Sequence, residues 1–219
     1  MSRLYAAGGT AVAVIEEDKV ETALEGRGAR CLAVDPKDPA TLYVGTSDEG
    51  LFKSTDGGET WQDQRPGAQA DCHSLAAHHG DPGLLYEAGG GGFAQSRDFG
   101  DSWESAHEGM GLRYAWGLAA DAEDPTLVYA SAASGPGRAH GEGFSDAAIY
   151  RRVADGRWEA VLEGLAAFPY ALCSDPEAPG RLYAGLGDGT ILRSADAGER
   201  WQEVARVPAG LQALAAASA

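Results

Sequence analysis

The chain has 219 residues, 44 % of them hydrophobic and 23 % charged, which is a globular composition and excludes a disordered one. Its net charge of −16 argues against nucleic acid as a partner, because phosphate binding needs a basic surface. No apolar run approaches the ~20 residues of a membrane helix. Glycine stands out, with 31 residues scattered along the whole length.

In chain order, the N-terminus MSRLYAAGGTAVAV lacks a charged stretch followed by an apolar core. It therefore reads as no signal peptide, and the chain as cytoplasmic. Its first element is a strand at Leu4-Tyr5, and this pair returns at Leu42-Tyr43, Leu85-Tyr86, Val128-Tyr129 and Leu182-Tyr183. Leu32, Leu75, Leu118 and Leu172 each lie in an apolar segment ahead of one of these pairs, with Asp-Pro turns between. Three of the pairs are followed by a common string: Ser54 to Trp61 (STDGGETW), Ser96 to Trp103 (SRDFGDSW) and Ser194 to Trp201 (SADAGERW). A shortened copy runs from Ala154 to Trp158, and a degenerate one from Glu16 to Val20. Each repeat reads as four short strands, such as LAVDP, LYVGT, GLFKST and TWQDQ, and no segment carries a helical period. The tyrosines stand 38, 43, 43 and 54 residues apart, close to the ~40–45 of a four-stranded propeller blade.

The S-x-D-x-G-x-T-W string resembles the Asp-box of the sialidase-type BNR repeat family, which includes sortilin-like receptors and assembly propellers. The resemblance covers almost the whole chain. It implies an all-β β-propeller, and counting the repeats gives five blades: blade 1 from residues 1–26 plus 209–219, then 27–68, 69–109, 110–165 and 166–208. The last strand, near 211–217, is expected to pair with the strand near 4–8 and close the ring, removing exposed edges. The boxes themselves read as structural turns: aspartate accepts backbone N–H bonds, glycine supplies positive φ and tryptophan packs. In propellers of this family they lie at the outer rim, away from the ligand face.

Removing what the repeat demands leaves Trp116, Tyr114 and Tyr170 among the aromatics. Aligning first strands by their leucines gives the column Arg30, His73, Trp116, Tyr170 and Gln212, expected to ring the channel mouth as either a plug or a ligand pocket. Trp116 is expected to be a stacking wall, Arg30 a carboxylate clamp and His73 a titrating group, with Arg113 and Tyr114 at the rim. The fourth repeat is 11 residues longer than its neighbours, and the excess falls in 131–147, a glycine-rich loop carrying Arg138, His140 and Glu142. Asp48, Glu49 and Asp188 sit on the corresponding loops of other blades.

The leading functional expectation is a monomeric, non-catalytic binding or assembly propeller that takes a small polar or sugar-like ligand, or a protein partner, without cofactor or metal. The alternatives are a glycoside hydrolase and a scaffold with no small ligand. Hydrolysis needs two carboxyl groups at a set separation, for which Asp48, Glu49, Glu142, Asp146 and Asp188 are candidates. A sialidase-like site would draw on Arg30, Arg113 and Arg138 with Tyr114 or Tyr170, but the family's Arg-Ile-Pro motif is absent. There is no H-E-x-x-H, G-x-S-x-G or P-loop. His78-His79 reads as an exposed turn. Cys31, Cys72 and Cys173 match no disulfide framework or zinc spacing and read as small buried hydrophobes.

Overall fold

The computed structural model describes residues 3–16, 19–63, 66–78 and 80–217, with Pro82 described in its backbone alone. Its strands form five antiparallel meanders, each in sequence order. The first is β1 (Arg3–Gly8), β2 (Ala11–Glu16) and β3 (Lys19–Ala23). The second is β4 (Ala29–Val34), β5 (Leu42–Thr46), β6 (Leu51–Ser54) and β7 (Gln62–Asp63). The third is β8 (Cys72–His78), β9 (Asp81–Gly89), β10 (Gly92–Ser96) and β11 (Glu104–Ser105). The fourth is β12 (Tyr114–Ala120), β13 (Leu127–Ala133), β14 (Ala147–Val153) and β15 (Glu159–Leu165), with a short helix α1 (Pro136–His140) between β13 and β14. The fifth is β16 (Pro169–Ser174), β17 (Leu182–Leu186), β18 (Thr190–Ser194) and β19 (Gln202–Arg206). Among the described residues no helix is long and apolar enough to cross a membrane.

The chain divides into two compact units. One comprises residues up to Gly89 with Ala94–Ser105; the other comprises Gly90–Phe93 with the residues from Ala106 onward. In the first unit Tyr43, Leu51, Leu85, Ala94 and Trp103 form one core cluster, and Val12, Ala29 and Val44 another. In the second, Tyr129, Ile149, Leu172, Leu182 and Leu186 pack with Trp201. Second strands such as β5 are buried along their whole length, which is why they read as continuous apolar runs instead of alternating.

The two repeated sequence signals fasten to each other. In the turn between β6 and β7, the Ser54 hydroxyl donates to Asp56 Oδ1 (2.7 Å) and accepts the Gly58 N–H (2.9 Å), while Asp56 accepts the Thr60 N–H (2.9 Å). Ser96, Asp98, Gly100 and Ser102 repeat these bonds, as do Ser194, Asp196, Gly198 and Arg200. The turn needs two successive left-handed residues: Gly57 and Gly58, Phe99 and Gly100, Ala197 and Gly198. That conformation leaves the carbonyl of the first of each pair as an acceptor for the repeated tyrosine of the preceding sheet. Tyr5 donates to Gly57 O (3.1 Å) and Tyr43 to Phe99 O (3.0 Å). In the second unit Arg151 Nη1 takes Ala197 O instead (2.8 Å), and the buried Tyr129 hydroxyl has no partner among the described residues.

Replacing Ala197 by glycine should raise stability by about 0.5–1 kcal/mol, because alanine pays a steric cost in the left-handed region that glycine does not. A thermal melt of the variant against the parent checks it, and an unchanged or lower midpoint would contradict it.

Three expectations need correction. The sheet β1–β3 has three strands, and residues 207–217 form no strand. Pro208 and Gly210 open that segment, and its leucines pack on the fifth sheet: a side chain on Gly185 would run into Leu211 and Leu214. The Ala216 N–H also points at Cys173 Sγ of this sheet (3.2 Å). Residues 136–140 are helical, started by a proline at the first turn, in a stretch too short to show a helical period. His78 is not an exposed turn residue. It ends β8 at 6 % exposure, with Nδ1 accepting the Gly80 N–H (2.9 Å), while His79 lies outside the described residues.

Glu87, on β9, is fully buried, and both its oxygens accept the Gln69 N–H (3.2 and 3.1 Å). Burial pushes its carboxyl up to about 7, against the opposing effect of bonds from Gln69 and Cys72. A raised carboxyl favours the protonated native state, so this contribution is complete below the unfolded value near 4.5 and is lost as pH rises through about 7. The turn aspartates act oppositely. Bonds from Thr60 hold Asp56 near 2, and bonds from Ser102 hold Asp98 low, so their contribution is lost as pH falls toward those depressed values. We expect the parent to lose stability between pH 5 and 8 by up to about 3 kcal/mol through Glu87, and Glu87→Gln to remove that slope. Denaturant melts at both pH values check it.

Candidate functional site

Arg30, His73, Trp116 and Tyr170 share a feature that periodicity does not reveal: each lies within a register shift of the first strand of its sheet. The shifts fall between Ala29 and Cys31, Cys72 and Ser74, Ala115 and Leu118, and Pro169 and Ala171. A bulge inserts an unpaired residue and re-aims its side chain. Strict two-residue alternation along these strand starts is therefore interrupted at the four positions.

Within the second unit, four predicted residues meet. Tyr114 and Trp116 come from β12, Tyr170 from β16 and His140 from the last turn of α1, joined by Phe168 just ahead of β16. The imidazole of His140 lies 4.9 Å from the Trp116 ring, 5.4 Å from Tyr114 and 6.2 Å from Phe168, all edge-on. Tyr170 is stacked with it at 5.6 Å and also meets Trp116 edge-to-face at 5.6 Å.

The polar atoms of this cluster fix a direction of proton donation. Tyr170 donates its one hydroxyl proton to Ala139 O (2.9 Å), so its oxygen accepts from His140 Nδ1 (2.9 Å). Neutral His140 then presents a lone pair at Nε2, where Tyr114 donates (2.8 Å). Two tyrosines from different sheets thereby hold α1 down by its only imidazole. Burial raises the Tyr170 phenol above its ordinary value, which keeps it a donor.

Beside the cluster runs a groove of about 520 Å³, whose lining includes Arg138, His140, Phe168, Tyr170, Asp188 and Gln212. Gly187 leaves the space that the Tyr170 ring occupies; a side chain there would come within 2.9 Å of it. Asp188 is the one carboxylate of the lining. Its partial burial works against ionisation, but bonds from Thr190 and the Arg206 guanidinium at 3.5 Å hold it below the ordinary carboxylate range. Arg138 is tied back to Phe144 O (3.2 Å). Trp116 does not line this groove, so the expected stacking wall is replaced: Tyr170 and Phe168 supply the apolar surface, while Trp116 backs them.

The other predicted residues have separate surroundings. Arg113 donates to His107 Nε2 (2.8 Å), and burial together with that guanidinium lowers the His107 value. In the first unit Arg30 borders a shallow depression with Gly8, Gly9 and Ser47. His73 is buried there, its Nε2 3.0 Å from Asp71 Oδ2. Asp48 is exposed on the loop between β5 and β6, and Glu49 next to it pairs with Arg27. Glu142 and Asp146 are exposed on the 141–146 segment. Among the described residues no three histidine, cysteine, aspartate or glutamate side chains cluster as a metal site.

Phe168 was not in the predicted set. A signal for it exists: Phe168 precedes Tyr170 by two residues as Tyr114 precedes Trp116, giving matched aromatic pairs at the starts of two adjacent first strands.

No protein-family model matches the chain. Over 81 residues it is 37 % identical to an oligoxyloglucan-reducing end-specific xyloglucanase of Emericella nidulans, a match covering 34 % of this chain and 10 % of that enzyme. Among solved structures it superposes on the GH74 enzyme of Niastella koreensis with a TM-score of 0.73 at 18 % identity, and on the GH74 xyloglucanase of Xanthomonas campestris with 0.71 at 22 %. These matches cover 92 % and 93 % of this chain but 36 % of each enzyme, so the chain spans about a third of their length. The likeness shows a β-propeller fold.

Proposed function

We propose that the chain is an Asp-box propeller of five blades that binds a carbohydrate in the groove beside Tyr170, without hydrolysing it. The observation that carries this reading is the composition of that groove. Two aromatic rings, an imidazole and an amide converge there, and its single carboxylate, Asp188, is held ionised and ion-paired. Aromatic faces suit the apolar faces of sugar rings, and convergent polar groups orient hydroxyls. Hydrolysis by the usual two-carboxyl route requires a second, protonated carboxyl across the bond, and Asp188 has no such companion in the lining. The xyloglucanase likeness supports a carbohydrate as the ligand class.

A second reading, a xyloglucan-acting hydrolase, is favoured by the 37 % identity over 81 residues. Calorimetry with xyloglucan oligosaccharides, beside an assay of reducing ends released from the polysaccharide, separates the two. Binding without release, weakened at least about tenfold by Tyr170→Ala, is the expected result. Release of reducing ends would replace the binding reading with the hydrolase one. Absence of both would remove carbohydrate from the proposal.

A further inference from the structure

The first unit holds a thiol pair that the carbohydrate reading does not use. Cys31 Sγ on β4 and Cys72 Sγ on β8 lie 3.5 Å apart, though their residues are 41 positions apart in sequence. Gly45 on β5, the register partner of Cys31, makes this approach possible. A Cβ on Gly45 would stand 2.4 Å from Cys72 Sγ and 2.7 Å from Cys31 Sγ, so the two sulfurs share the volume of its missing side chain. Cys72 is fully buried, whereas Cys31 is partly exposed. Burial above all, with the neighbouring Cys31 and Glu87, pushes the Cys72 thiol up. The third cysteine, Cys173, lies on β16 in the other unit, its sulfur directed to backbone groups of Ser174 and Ala216.

We propose that Cys31 and Cys72 form a peroxide-reactive site that closes a Cys31–Cys72 disulfide. Cys31, the more accessible member, attacks the peroxide as its thiolate. Its S–O bond forms as the O–O bond breaks, the sulfur loses two electrons, and hydroxide leaves to be protonated to water. The Cys72 sulfur then attacks Cys31 Sγ. The S–S bond forms, the S–O bond breaks, and the departing hydroxide takes the Cys72 thiol proton as a second water. Two thiols and one hydrogen peroxide thus become one disulfide and two waters. Closure requires the sulfurs to approach by about 1.5 Å, within the adjustment of two side-chain torsions and small strand shifts. Access and an adjacent resolving thiol are the features that separate redox-reactive cysteines from inert buried ones.

The test treats the full chain with hydrogen peroxide, quenches with an alkylating agent under denaturing conditions and maps the peptides. The expected product is lighter by two hydrogens, carries a 31–72 cross-linked peptide and leaves Cys173 alkylated. Cys72→Ser should stop the reaction at a sulfenic acid on Cys31 that dimedone traps. The parent needs no substitution, so the proposal stays testable if a variant fails to fold. Full alkylation of Cys31 and Cys72 after peroxide, or oxidation of Cys173 ahead of them, would overturn it. So would a disulfide that forms only in denaturant.

Discussion

Tyr43→Phe and Tyr129→Phe, the same change at the same point of the repeat, should move stability in opposite directions. Tyr43 donates to Phe99 O, so removing its hydroxyl leaves that carbonyl without its partner and should cost about 1–2 kcal/mol. Tyr129 is fully buried, burial pushes its phenol up to about 12, and its hydroxyl meets no acceptor among the described residues. Its removal takes away an unpaid desolvation cost and should gain about 1–2 kcal/mol. Arg151, which occupies the carbonyl of Ala197, is the reason for the difference. Equilibrium denaturation of both variants checks it; equal signs would refute the proposed partnership between tyrosine and turn.

The larger loss should come from Gly109→Ala. Gly109 has φ of 98°, and a Cβ there would lie 2.4 Å from the Trp158 carbonyl oxygen and 2.9 Å from its nitrogen. The neighbouring Glu108 carbonyl accepts the Trp158 N–H at 2.8 Å, so the segment cannot retreat without giving up that bond. Left-handed strain and a backbone collision together should cost about 3 kcal/mol or more, lowering the melting midpoint by roughly 6–12 °C. Gly67 repeats the arrangement against Trp103 at 1.8 Å, with the Trp103 N–H on Pro66 O, and Gly67→Ala should behave alike. A variant melting within a degree of the parent would show that these loops yield freely.

The strands of the four full sheets were legible because their signals are local. A buried apolar run, an Asx turn such as that at Asp35 or Asp121, and a serine-aspartate-glycine turn each announce themselves within a few residues. What joins one repeat to the next was not. The tyrosine and the turn were both visible as repeated strings, but that one caps the other depends on the carbonyl direction set by a left-handed residue. Two of those residues are Phe99 and Ala197, which no composition rule marks as left-handed.

The site was half legible for a similar reason. Subtraction found Trp116 and Tyr170 because they depart from the template, and the inserted loop pointed to His140. It could not find the bulges, since Ala29, Cys72 and Pro169 give no warning that an unpaired residue follows. Arg30 and His73 were grouped with the aromatics by alignment alone, and a column in an alignment is not a surface. The cysteine pair escaped because sequence spacing tests only nearby partners. The geometry that brings Cys31 and Cys72 together is set by a glycine on a strand between them in sequence.

The joint between tyrosine and turn has a further consequence for how such a chain can lengthen. Tyr43 reaches forward to the turn at Phe99, while the turn of its own sheet, at Gly57, receives Tyr5 from behind. The second sheet therefore carries one half of a fastener on either side, and the two joints it makes within the first unit are alike. A gene segment encoding one sheet, copied in tandem, would arrive with both halves already matched to its neighbours and need no new interface to be selected.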